Sequence, residues 1–125
     1  MIEYENVAAA FAAFPEDVRA GLLALRAQIL AVALAEGIPL EESLRWGQPA
    51  YLAQKGSTIR LGVPKIGGYA IYTHCQTTLM RDFREICPEL RFEGNRAVHF
   101  AVGEMPPEAI DMLIRAALTY HNKRC

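Results

Sequence analysis

The stretch IRLGVPKIGGYAIYTH, Ile59 to His74, decides the fold. Ile59, Leu61 and Val63 alternate with Arg60 and Gly62, and Tyr69, Ile71 and Thr73 alternate with Ala70, Tyr72 and His74. A period of two places successive side chains on opposite faces of a strand. Between the two runs, Pro64 to Gly68 supplies the residues of a turn. Pairing Val63 with Tyr69 sets Leu61 opposite Ile71, Arg60 opposite Tyr72 and Gly62 opposite Ala70, so a single register specifies both faces of the hairpin. One face is apolar and predicts a core. The other predicts a polar surface centred on Arg60 and Tyr72.

Upstream, the strand period begins at Ser43 and passes through Arg45-Trp46-Gly47-Gln48-Pro49-Ala50-Tyr51, where Trp, Gly, Pro and Tyr mark a sharp turn of the backbone. Lys55-Gly56 closes the next turn. Before these strands the period is helical. Tyr4, Val7, Phe11 and Phe14 recur at steps of three and four, and a second helix starts at Pro15, Glu16 and Asp17 and stops at Gly37 and Pro39. That helix carries one apolar stripe of Val18, Leu22, Leu25, Ile29 and Val32 and another of Leu23, Leu30 and Leu34. Two stripes call for two partners, and the second is met either by another helix or by a second copy of the chain in a homodimer.

Downstream, Thr77 or Thr78 caps a helix to about Ile86, with Leu79, Phe83 and Ile86 inward and Pro88 as its stop. In the hairpin that follows, a two-residue Gly94-Asn95 turn would mix the faces. A three-residue loop or a bulge instead sets Phe92 against Val98 and Arg91 beside His99. Pro107 opens a closing helix with Ile110, Leu113, Ile114 and Ala117 buried. The order predicts an α+β fold, a mostly antiparallel sheet with helices packed on one face, in a single domain over residues 1–125.

The totals narrow the function. At 125 residues the chain builds a core without metal or disulfide staples, and a net charge of -1 gives no broad footprint for nucleic acid or an anionic membrane. The longest apolar run, Ala27 to Ala35, is interrupted by Gln28 and is too short to span a bilayer. Cys75, Cys87 and Cys125 are odd in number and lack CxxC spacing, which predicts reduced thiols and a cytoplasmic location.

Three segments, ESLRWGQPAY (Glu42 to Tyr51), YAIYTH (Tyr69 to His74) and FEGNRAVHF (Phe92 to Phe100), together with a helix ending in Tyr120-His121, resemble the YdhG-like family of small proteins of unknown function. The likeness runs over nearly the whole chain. It implies a sandwich of the kind derived above, one that has been likened to frataxin, and through one relative described as an iron chaperone it implies iron handling as an alternative function. The residues themselves show no acidic ridge for iron: Glu16, Asp17, Glu41 and Glu42 are dispersed, while hard iron ions favour clustered oxygen ligands.

The chemistry-bearing residues gather on the second face of the sheet. Arg60, Tyr72 and His74 come from one hairpin, and Arg91, Glu93 and His99 from the other, with a shallow depression expected where Gly62 meets Ala70. Forked guanidinium groups suit carboxylate or phosphate. Trp46, Gln48 and Tyr51 are expected at the rim, the rings to stack and the amide to read a polar edge. The competing reading of this face is a solvated surface laced with cross-strand ion pairs.

His74-Cys75 has no placed base, and continued alternation would send the two side chains to opposite faces, so no nucleophile is assigned. Cys75, His74 and His99 lack the spacing and the fourth donor of a metal site. Gly67-Gly68 lacks the following helix of a phosphate loop, so no cofactor is implied. Glu42 is expected to hold Arg45 or the Trp46 turn, Cys87 to lie in the core and Cys125 to be a terminal thiol. Together the residues predict a non-catalytic binding module for a small anionic or planar ligand, or a short protein segment.

Overall fold

The computed structural model describes residue 2 and residues 4–123, with the side chains of residues 122 and 123 left aside. Cys125 lies outside the described residues. Helices α1 (Glu5–Ala13) and α2 (Glu16–Glu36) precede strands β1 (Leu40–Arg45), β2 (Gln48–Ala53), β3 (Ile59–Gly62) and β4 (Tyr69–Tyr72). Helix α3 (Leu79–Ile86), strands β5 (Arg91–Glu93) and β6 (Ala97–Phe100), and helix α4 (Ile110–Leu118) follow. The strands form one six-stranded sheet in the order β1-β2-β3-β4-β6-β5, with every neighbouring pair antiparallel. The fold is α+β.

Both hairpin registers are those the alternation requires: Arg60 faces Tyr72, Leu61 faces Ile71 and Gly62 faces Ala70, while Phe92 faces Val98 and Arg91 faces His99. The core joins Val7 and Phe11 of α1, the Val18-Leu22-Leu25-Ile29 stripe of α2 and Leu113 and Ile114 of α4 to Tyr51, Ile59, Leu61, Ile71, Val98 and Phe100 of the sheet. Those strand residues share one parity. The other parity contributes a separate small cluster, Ala70, Tyr72 and Ala97.

Several elements differ from the sequence-based expectation. β1 begins at Leu40 rather than Ser43, because Leu40 and Leu44 pack against the core. Ile86 is 56% exposed and Cys87 is buried in its place. Cys87 lies four residues after Phe83 and its N–H bonds the Phe83 carbonyl, so it continues the inward row as α3 ends. Pro107 precedes α4 by a turn instead of opening it. In the second stripe of α2, Leu34 is 84% exposed, Leu23 is exposed and Leu30 half-buried, so no described element closes over it. By length and composition α2 would cross a membrane, yet its Val18 to Val32 stripe is core.

α2 ends at Gly37 in the left-handed conformation, φ 66°, where the Ile38 N–H reaches the Ala33 carbonyl. Toward its start, Gly21 lets the helix lie directly on the sheet, since a Cβ there would stand 2.2 Å from Cζ of Tyr69. Tyr69 cannot yield: it is buried, stacked on Phe100 at 5.1 Å, and its hydroxyl donates to the Glu104 carbonyl. Replacing glycine by alanine inside a helix gains about 1 kcal/mol of propensity, whereas overpacking a core costs about 1–3 kcal/mol. Gly21→Ala is therefore expected to lower the urea midpoint; a raised midpoint would show that Tyr69 moves freely.

Edge strand β1 is tied to α2 by a buried polar triad. Glu42 accepts from Nε of Arg26 at 2.6 Å and from the Tyr51 hydroxyl at 2.6 Å. Burial pushes the Glu42 carboxyl up, but the Arg26 and Tyr51 hydrogen bonds and the Arg26 charge outweigh it and hold the pKa below 4.5. Glu42 thus stabilises the fold above the unfolded carboxylate value, and this contribution is lost as pH falls through its lower folded value. Glu42→Gln should cost about 3 kcal/mol at pH 7, as for breaking a buried pair. In urea unfolding the gap to the native chain should shrink on acidification from pH 5 to pH 3; a gap constant over that interval would contradict the assignment.

Candidate functional site

The open parity of the sheet reads as two rows. The first crosses Ser43, Ala50, Arg60, Tyr72, Ala97 and Glu93, and the second runs through Gly62, Ala70, His99 and Arg91. Ala50, Gly62, Ala70 and Ala97 form a floor of minimal height, over which the long side chains lie flat. Two clefts result. The larger, of about 910 Å³, has Gln48, Tyr72, His99 and Arg96 on its polar side and Pro64, Ile66 and Val102 as an apolar lip. The smaller, of about 320 Å³, lies around Trp46, Arg60 and His74, and Arg96 borders both.

Arg60 is the centre of this surface. Its Cζ stands 5.2 Å from the Trp46 ring centre and 5.4 Å from that of Tyr72, and its Nη1 donates to Oε1 of Gln48. On the same Tyr72 ring, Arg96 stands at 5.2 Å. Burial, with the Arg96 charge added, draws the Arg60 guanidinium below its ordinary pKa, though an arginine stays charged at any pH the fold tolerates. Burial and the Glu93 charge raise the Tyr72 phenol, so Tyr72 is a neutral ring in contact with two cations. Arg96 has a carboxylate, Glu93 at 3.1 Å, whose other oxygen meets Nε2 of His99 at 2.6 Å. Arg60 makes no ion pair among the described residues.

Trp46 and Gly47 form a two-residue hairpin loop with φ of 52° and 75°, flanked by the Arg45–Gln48 pair. Two positive φ values define the type I′ turn that matches strand twist and favours Asn-Gly. A bulky ring in this conformation is a strained exception of the kind that gathers at binding sites. Trp46 is 87% exposed, so its ring does not seal the core.

Of the residues expected to bind, Trp46, Gln48, Arg60, Tyr72, Arg91 and His99 stand on this surface, and four corrections follow. Tyr51 is not at the rim: its parity is that of the core, where its hydroxyl meets Glu42. The expected depression at Gly62 is filled by the Gln48 amide, whose Nε2 lies 2.3 Å from where a Cβ would be. Tyr72, expected among the ligand contacts, is 4% exposed beneath its two arginines and supports them instead. Arg91 is bound to Glu104 at 2.5 Å near the sheet edge, which largely spends its charge. The face therefore carries both an arginine without an acid partner among the described residues, Arg60, and ion pairs of the kind the competing reading expects, Arg91–Glu104 and Arg96–Glu93.

His74 lies beyond the end of β4, exposed, with its Nδ1 accepting from the Gln76 N–H; it borders the smaller cleft and not the one holding His99. Cys75 borders that cleft too, since strand alternation stops at Tyr72. Glu42 holds Arg26, not Arg45, because the two point to opposite faces of β1. Sequence reasoning did not single out Arg45, Lys65, Ile66, Arg96 or Val102. Arg96 was findable, as the third residue of the expected Gly94-Asn95-Arg96 loop; the lip residues carry no period that announces them.

Comparison with protein-family models, with curated proteins and with solved structures finds no match to this chain. The site's function is therefore argued from its geometry. Backbone strain of this type amounts to about 1–3 kcal/mol, while an exposed cation–π contact returns about 0.5–1 kcal/mol. Trp46→Asn is accordingly expected to raise the unfolding free energy measured in urea by about 1 kcal/mol, even though it removes the ring over Arg60. A destabilised Trp46→Asn variant would mean that the Trp46–Arg60 contact holds the turn.

Proposed function

We propose that this chain is a non-catalytic binding module that holds a small anion with an apolar or planar body on the open face of its sheet. One observation carries the reading: Arg60 and Arg96 converge over a single ring while, among the described residues, Glu93 is the sole carboxylate paired with either. Two like charges held together disfavour each other, and an anion between them would relieve that cost through charge-assisted hydrogen bonds of about 1.5–3 kcal/mol each. The apolar lip of Pro64, Ile66 and Val102 offers a place for the ligand's body.

Recognition is supported by the larger cleft, where Gln48, Arg96 and the His99–Glu93 pair stand opposite an apolar lip. The free thiols of Cys75 and Cys87 support a cytoplasmic setting. Iron handling, implied by the YdhG-like resemblance, draws no support from the side chains: among the described residues no group of three His, Cys, Asp or Glu converges.

The test is a thermal-shift screen with small carboxylates and phosphates on the native chain and on Arg60→Ala/Arg96→Ala, with circular dichroism as the check on folding. Stabilisation by at least one anion is expected for the native chain and none for the folded double variant. Equal shifts in both would overturn the site.

A further inference from the structure

The smaller cleft has a composition that the general reading does not explain. Arg45 at the end of β1, Arg60 on β3 and Arg96 in the β5–β6 turn all border it, together with His74, and no carboxylate does. Only Arg96 reaches an acid, Glu93, which stands outside this lining. Arg45 and Arg60 make no ion pair among the described residues. An uncompensated charge of about +2 in a space of about 320 Å³ exceeds what a carboxylate neutralises and matches a phosphate monoester, which carries roughly -1.5 to -2 at pH 7.

The donor geometry points the same way. Arg60 is held by Gln48, Trp46 and Tyr72, so its planar fork is fixed before any ligand arrives, and only one of its N–H groups is committed to a protein acceptor. Preset guanidinium forks are the side chains best suited to phosphate oxygens. The strained turn places Trp46 where its ring and Arg45 flank the same opening. Arg96 borders both clefts, which sets the smaller one beside the cleft that carries the Ile66 lip.

Building on the sheet-face reading, we infer that the smaller cleft is a phosphoryl subsite and that the ligand is a phosphorylated small molecule, its phosphoryl group among Arg45, Arg60 and Arg96 and its body in the larger cleft. Arg45 is the discriminating residue, because it borders the smaller cleft but, unlike Arg60 and Arg96, does not stand at the Tyr72 ring.

The test is isothermal titration of the full chain, at one fixed ionic strength, with phenyl phosphate and with benzoate. Phenyl phosphate should bind about tenfold or more tightly than benzoate, the difference one added charge-assisted contact provides. Arg45→Gln should weaken phenyl phosphate about tenfold and leave benzoate unchanged, and Arg45→Lys, which keeps the charge, should recover part of the loss. Equal affinities for the two probes, or equal losses of both in Arg45→Gln, would overturn the phosphoryl subsite and leave the broader anion site standing. Heat from neither probe, in a native chain that some other carboxylate stabilises, would likewise overturn the subsite alone. Silence toward every anion would remove the sheet-face reading with it.

Discussion

Everything in this structure depends on the pairing of Leu61 with Ile71 across β3 and β4. In a pleated strand a slip of one residue exchanges the faces completely. Here a slip of β3 would put Arg60 among Leu22, Leu25 and Ile29, and expose Ile59 and Leu61. Burying an unpaired guanidinium costs far more than any neighbouring contact returns, so the register has no near competitor. The same constraint passes through β6, where Val98 continues the inner row and His99 the outer. Core and candidate site are two sides of one pairing choice.

The outer face gains its shape from residues that do little themselves. Ala50, Gly62, Ala70 and Ala97 keep the floor low, so Arg60, Gln48 and Tyr72 lie across it instead of standing out into solvent. A larger side chain at Gly62 would collide with Gln48 and release Arg60 from its only hydrogen-bonded partner among the described residues. Rigidity on this face is thus built from small residues below and stacked cations above. On the inner face the Arg26–Glu42–Tyr51 triad performs a related task, holding the edge strand β1, and with it the strained Trp46 turn, to α2.

Much of this was legible because short-range periodicity and long-range packing agree. Ile59 to His74 announces both strands, and Phe92 to Phe100 announces a three-residue loop or a bulge instead of a two-residue turn, since a two-residue turn would part Phe92 from Val98; the structure has the three-residue loop. The failures lie where side chains reach beyond their own element. Glu42 is one residue in an alternating strand, but its partner Arg26 is sixteen residues away on a helix. Arg91 pairs with Glu104 across a connection without periodic pattern. Tyr51 looked like a rim residue by its company with Trp46 and Gln48, yet five positions from Trp46, across a turn, parity sends it to the core.

The amino-acid order by itself determined the succession of helices and strands, the register of the β3–β4 and β5–β6 hairpins and the face on which Arg60, Tyr72, Arg91 and His99 stand, because alternation, turn chemistry and helical stripes are local properties of the chain. Tertiary structure alone decided that Arg60 and Arg96 share one ring, that Gln48 fills the space above Gly62, that Arg91 is spent on Glu104 and that His74 parts company with His99. Those outcomes depend on how far long side chains extend across neighbouring strands, and the distance between two strands in space is not written in their separation along the sequence.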